Sequence, residues 1–294
     1  MRKLLFLSLA TAVLGATNFA TAQQMQNLNL RTHQLTPTVY WVEGGGGNSG
    51  IIIGNKGVVI VDAKISPEYG KQLLDEVAKI TPKPVTTVIL THRDVDHVAG
   101  LAAFPKRIEI IAHEIVPDAP QPNATAGGPG TMPVAPAVQP TRVWTGGKDS
   151  LYVDGVNIEL LHWAPAHTSG DTVIYLPAQK IVFTGDIIAV DMPVTLIHLY
   201  KHGSSAGWID SVKGMLSLDA DRFVPGHGEV QTKQQIEARL KKAVAERAQI
   251  VALVKQGKSL AEIEQAVDDP PANLPPTPQW APFSEVVYTE LTQK

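Results

Sequence analysis

Residues 91–100, THRDVDHVAG, place two histidines and two aspartates within six positions, His92-x-Asp94-x-Asp96-His97, straight after the apolar run VTTVIL. Imidazole and carboxylate are the groups that hold a hard or borderline divalent cation when no thiolate is present, and this chain contains no cysteine. Four further segments end an apolar run with a His or Asp beside a glycine or turn: Asp62 in IVDAK, His167 in APAHTSGD, Asp186 in FTGDII and His227 in VPGHGE. Taken singly, each of these reads as a turn former or a helix cap. The density of residues 92–97 does not read that way. His92, His97, His167 and His227 with Asp94, Asp96 and Asp186 make a coherent donor set for metal, carried on loops at strand ends where a sheet can fix them.

The elements that must position these groups follow from patterning. TVYWVEG, GIIIG and GVVIVDA are short, β-branched and separated by glycine turns, so they read as strands. SPEYGKQLLDEVAKI reads as a helix capped by Ser66, with Leu73, Leu74, Val77 and Ile80 at helical spacing. KPVTTVIL is a buried strand that delivers the 92–97 cluster, VAGLAAF starts a short helix, and RIEIIAH is another strand. Further on, SLYVDG, VNIELLHW, DTVIYLP, KIVFTGD and DRFVPGHG read as strands and GWIDSVKGMLSL as a helix. A long amphipathic helix is expected from Lys233 to about Lys255, with Ile236, Leu240, Val244, Val251 and Val254 on one stripe. Ser259-x-x-Glu262 is a capping box for a short helix that Pro270-Pro271 stops. Residues 116–142 are rich in Pro, Gly and Ala; they read as a loop over a site, with an interdomain linker as the alternative. Strand runs alternating with helices indicate an α/β layered domain.

Composition narrows the class. Arg2 and Lys3, the apolar LLFLSLATAVLG and Ala20-Thr21-Ala22 read as a signal peptide over residues 1–22, with an exported mature protein, periplasmic or secreted, from Gln23. The remainder, 23–294, reads as a single domain with a C-terminal helical extension from about residue 231. A net charge of −3 argues against a nucleic-acid partner; there is no lipid-anchoring cysteine, the N-terminal apolar run is too short for a stable membrane span, and no other apolar run reaches that length. The expected partner is a small-molecule substrate, with no membrane anchor. Zero cysteines remove disulfides, thiol nucleophiles and Cys-based zinc sites.

In order and spacing, these motifs resemble the metallo-β-lactamase superfamily, from roughly Val39 to Glu229. The resemblance implies an αββα sandwich, two mixed sheets packed face to face with helices outside. It implies two divalent metal ions, zinc in the first instance. His92 and His167 would bind the first metal, Asp96, His97 and His227 the second, and Asp186 would bridge them. Asp62 would support the ligands from behind. It also implies a metal-dependent hydrolase in which a metal-bridging hydroxide, anchored by Asp96, attacks a carbonyl substrate such as a β-lactam, a lactone or another ester or amide.

Position 94 departs from the family pattern, which has a third histidine there. Asp94 either turns away or is itself a ligand. As a ligand it lowers the residual positive charge, which weakens the metals as Lewis acids and makes Mn²⁺ or Fe²⁺ competitive with zinc. Two other readings stay open: a non-haem iron redox protein of the same fold, and a catalytically weak metal-binding member. His198 and His202, spaced i, i+4 in LIHLYKHG, read as surface or packing residues, His113 as structural, and His33 and His162 carry no signal. The glycines at 44–47 are a candidate lid over substrate.

Overall fold

The chain is described by a computed structural model covering residues 29–114, 140–190, 192, 194–269 and 281–293. The signal-like segment, nearly all of the Pro/Gly/Ala-rich stretch and the Pro270-Pro271 stop lie outside the described residues.

Two mixed sheets form the centre. The first holds seven strands in sequence order: β1 (Arg31–Thr36), β2 (Val39–Glu43), β3 (Ser49–Ile53), β4 (Val58–Val61), β5 (Val85–Ile89), β6 (Glu109–His113) and β7 (Arg142–Trp144). The second holds six: β8 (Lys148–Val153), β9 (Val156–Leu161), β10 (Val173–Leu176), β11 (Ile181–Ala189), β12 (Arg222–His227) and β13 (Gln231–Thr232). Pairing is antiparallel at the start of the first sheet and parallel from β4 to β7; in the second only β11 and β12 are parallel. Strands β1, β7 and β13 are absent from the sequence reading because RTHQLT, RVW and QT are too short or too polar to announce themselves.

Period-two alternation sorts the side chains into layers. In β4, Val59 and Val61 face the other sheet with Ile89, Ile174, Phe183 and Val224, while Val58 and Ile60 face outward onto Leu73 and Val77. Those two belong to helix α1 (Pro67–Ile80), capped by Ser66 as expected. The outer face of the second sheet, including Val173, Tyr175 and Val182, is covered by Trp208, Val212, Ile236, Ile250 and Val286. These come from α3 (Ser205–Leu216), α4 (Lys233–Lys255) and α6 (Phe283–Thr292), the last of which the sequence reading missed; α2 (Val95–Val98) and α5 (Leu260–Val267) complete the helices described. The layers are therefore helix, sheet, sheet, helix, as expected. On α4 the buried stripe is Ile236, Ala243 and Ile250, whereas Val244 is exposed. Both capping boxes, Thr232 with Gln235 and Ser259 with Glu262, are formed. Among the described residues no helix is long and apolar enough to cross a membrane.

Candidate metal centre

Every residue of the predicted donor set arrives at one edge of the sandwich, and all are buried. The first sheet supplies Asp62 after β4 and the 92–97 cluster after β5. The Asp62 carboxylate organises that cluster. It accepts from the Thr91 amide (2.8 Å), the Thr91 hydroxyl (2.6 Å) and His97 Nδ1 (2.7 Å). Since the single Thr91 hydroxyl proton goes to Asp62, its oxygen accepts from His92 Nδ1 at 2.9 Å. His167 Nδ1 donates to the Leu196 carbonyl at 3.1 Å. In all three rings the Nδ1 proton is thereby fixed and Nε2 turns to the site, the arrangement that sets a ligand's tautomer from behind.

The second sheet supplies His167 before β10, Asp186 within β11 and His227 at the end of β12. The β11–β12 pairing is irregular at Gly185, whose φ is 53°. That irregularity re-aims Asp186 toward the other sheet. A Cβ on Gly226 would fall 1.8 Å from Asp186 Oδ1, so only glycine lets the strand pass beside the carboxylate. The His167 turn is held by Asp171, which accepts from the Thr168 amide at 3.0 Å and hydroxyl at 2.7 Å.

The donors form interlocking groups: His92, Asp94 and His167; Asp96, His97 and His227; and His92, His97 and Asp186. Donors each about 2.0–2.1 Å from a tetrahedral metal sit roughly 3.3 Å apart. Here His167 Nε2 lies 3.3 Å and His92 Nε2 3.9 Å from Asp94 Oδ2. His227 Nε2 lies 3.1 Å and His97 Nε2 3.7 Å from Asp96 Oδ2. Asp186 stands between the two triads: Oδ2 is 3.9 Å from both His92 and His167 Nε2 and 3.3 Å from His227 Nε2, while Oδ1 is 3.2 Å from His97 Nε2. His92 Nε2, His97 Nε2 and Asp186 Oδ1 are buried without a hydrogen-bond partner. Such atoms are rare in folded proteins, and here all three point to where a cation would bind them.

Electrostatics agree. Burial opposes the charged form of His97, yet Asp186, Asp96 and Asp62 outweigh it and raise its pKa well above the ordinary histidine value. His227, also buried, is lifted by Asp186 and Asp96 to about 9. Burial works against the Asp186 carboxylate too, but His227 and His97 hold its pKa well below the usual range. At His92, burial wins and keeps the imidazole neutral. This is a pocket that binds positive charge, as protons on His97 and His227 or as metal in their place. The residues fit a divalent metal.

Asp94 does not turn away. Oδ2 joins His92 and His167, and Oδ1 pairs with Lys201 Nζ. Lys201 and His198 were missed, His198 having been read as a surface or packing residue. The His198 ring is buried, with Nδ1 3.2 Å from Asp94 Oδ2. The reason is backbone geometry. Leu199–Lys201 is a 3₁₀ turn, in which residues i and i+3 eclipse, so Lys201 and not His202 shares the His198 face; His202 sits in the left-handed region at φ 60°.

The glycine stretch is also corrected: it is a floor, and not a lid. A Cβ on Gly47 would lie 2.2 Å from His97 Cε1, one on Gly46 2.7 Å from the Asp96 carbonyl, and the Gly47 amide donates to that carbonyl at 3.1 Å. Lys64, fully buried, ties the turn down through Nζ to the Val42 (2.7 Å) and Gly47 (2.8 Å) carbonyls. His113, as expected, is structural, with ring nitrogens near the Glu114 and Gly146 carbonyls and its face stacked on His162.

The chain is 30% identical over 189 residues to the alpha subunit of 2,4-dinitroanisole O-demethylase from Nocardioides sp. (strain JS1661), covering 64% of this chain and 54% of that protein. It is 24% identical over 225 residues to the linear primary-alkylsulfatase of Pseudomonas sp. (strain ATCC 19151), covering 63% of this chain and 42% of that one. It thus spans about half the length of these curated relatives. Its fold is shared with the inverting sec-alkylsulfatase Pisa1 from Pseudomonas sp., at a TM-score of 0.70 and 18% identity over 90% of this chain and 50% of that one. Residues 42–227, which hold every predicted ligand, match the sequence profile of the metallo-beta-lactamase superfamily, and the chain belongs to that superfamily.

Proposed function

We propose that this protein is an exported, dinuclear metal-dependent hydrolase. The observation that supports this most directly is the placement of the Asp186 carboxylate between two buried His/Asp triads at donor separations suited to metal. Two divalent ions bound there, zinc first and Mn²⁺ or Fe²⁺ as competitors, would supply Lewis acidity and a water that ionises near neutral pH. His92, Asp94 and His167 would hold one ion, and Asp96, His97 and His227 the other. Asp186, placed between the two groups, would serve both, and Asp62 fixes the His97 tautomer. Asp96 is assigned as the catalytic residue, whose carboxylate would orient a water for attack on the substrate. Burial of the whole donor set keeps bulk water from competing for it.

The substrate is a small molecule met outside the cytoplasm, a β-lactam, lactone or other ester or amide. A sulfate ester is the second reading, favoured by the likeness to a linear primary-alkylsulfatase. Export rests on the signal-like residues 1–22. The test is to purify the protein from residue 23, measure metals per chain, and assay a chromogenic cephalosporin, a lactone, a thioester and an alkyl sulfate. Two zinc ions with turnover on any of these is the expected result, and the substrate that turns over decides between the two readings. Less than one metal per chain with no turnover would overturn the proposal, and two irons with oxygen-dependent turnover would replace it with redox chemistry.

A further inference from the structure

We propose that Lys201 is a positioning residue that makes the carboxylate at position 94 act as a one-oxygen, charge-compensated metal donor. This deepens the metal-centre reading and rests on it. A neutral imidazole offers one lone pair and no charge. An aspartate offers two oxygens and a negative charge, and could swing or chelate through both. Lys201 removes both differences at once. Its ammonium occupies Oδ1, so only Oδ2 faces His92 and His167, and the pair Asp94–Lys201 carries no net charge. Lys201 therefore restores to the site the positive charge that Asp94 takes away.

The pairing is built in by the fold. Lys201 Nζ has come in from 107 residues along the chain, and both side chains are largely buried. The segment that carries Lys201 is laced to the His167 turn: the His198 amide donates to the His167 carbonyl at 2.9 Å, the Ser169 amide to the Lys201 carbonyl at 2.8 Å and the Ser204 amide to the Ala166 carbonyl at 2.9 Å. A Cβ on Gly203 would lie 2.4 Å from the His167 carbonyl, so the two segments are in backbone contact. His198 packs beside Oδ2 of Asp94, with its ring against His167 at 4.3 Å between centroids and stacked on Tyr200 at 5.1 Å. The same short segment thus fixes His167, through Leu196, and the Asp94 carboxylate, through Lys201. One rigid element sets the relative position of two donors of the first metal.

The test uses the full mature chain with Lys201→Met, Lys201→Arg, Asp94→His and the Asp94→His/Lys201→Met double variant, read first by thermal unfolding in excess chelator. Removing one member of a buried ion pair leaves the other uncompensated, so Lys201→Met should lower the midpoint by roughly 5–10 °C. In the Asp94→His background the same change should leave the midpoint unchanged or raise it, because Lys201 there has no anion to meet. Equal losses in both backgrounds would overturn the pairing. The second readout is the visible absorption of Co²⁺-loaded protein. Freed from Lys201, Asp94 can chelate through both oxygens, so Lys201→Met should weaken and shift the Co²⁺ bands, while Lys201→Arg keeps them. An unchanged Co²⁺ spectrum in Lys201→Met would reduce Lys201 to a structural ion pair and overturn the positioning role. Neither readout requires turnover, so failure here is distinguishable from the absence of hydrolysis.

Discussion

The raised pKa of His227 makes metal binding at this site a proton exchange whose size can be worked out. Its value moves from 6.5 to about 9 because the Asp186 and Asp96 carboxylates outweigh the cost of burying the charged ring. Because the folded pKa lies above the unfolded one, the protonated ring stabilises the metal-free fold fully below about pH 6.5 and loses that effect as pH climbs through about 9. The contribution is on the order of 3 kcal/mol. A metal must displace that proton, so apparent affinity should rise about tenfold per pH unit below 9, roughly 150-fold between pH 6.5 and 9, from His227 alone. His97, whose pKa is raised in the same direction, steepens the slope toward two protons per unit. Competition between the protein and a chromophoric chelator for Zn²⁺, measured at several pH values between 6.5 and 9, gives that slope directly. Affinity is the better readout than stability, because the buried Lys64 titrates in this range with the opposite sign. A pH-independent affinity, after correction for the chelator's own protonation, would refute the picture of histidines held protonated by the carboxylates.

Other consequences can be measured alongside. Lys64 is pushed down to about 7 by burial, so its charge costs stability below that pH and the cost shrinks as pH rises toward 10.5. Relative to Lys64→Met, the wild type should therefore gain stability between about pH 7 and 10 in chemical denaturation. Asp62→Asn cannot accept from His97 and from both Thr91 donors alike, so zinc affinity should fall by roughly 10- to 100-fold while the far-UV spectrum stays put. Gly47→Ala would press a methyl into the His97 ring. It should cost about 1–3 kcal/mol and weaken the Asp96/His97/His227 position selectively, leaving metal stoichiometry nearer one than two.

Much of this was legible in the sequence, and the misses have physical causes. That His92, Asp94, Asp96, His97, His167, Asp186 and His227 gather with Asp62 could be read because these side-chain types each follow an apolar run that had to be a strand, and the structure brings them together. The four layers were implied by the family resemblance; VVIV and VIYL, apolar at every position, show why both faces of each sheet need covering. Lys201 was hidden because its role depends on a 3₁₀ turn, while the eye falls on the histidines four apart in LIHLYKHG. The glycines at 44–47 were legible as permissive but not as crowded; what presses on Gly46 and Gly47 includes Asp96 and His97, fifty residues on. Strand β1 is polar and partly exposed, so no hydrophobic pattern announced it.

The His/Asp cluster also links distant parts of the chain. Asp94 and His167 lie 73 residues apart, on loops that leave different sheets. A metal held between them is a cross-link, and it joins the two halves of a chain that has no cysteine with which to join them. By the chain-entropy argument for disulfides, closing a loop of that length contributes roughly 4 kcal/mol. In this protein the reaction centre and the staple would be the same atoms, so a variant that binds metal but does not turn over can still owe its durability to the site.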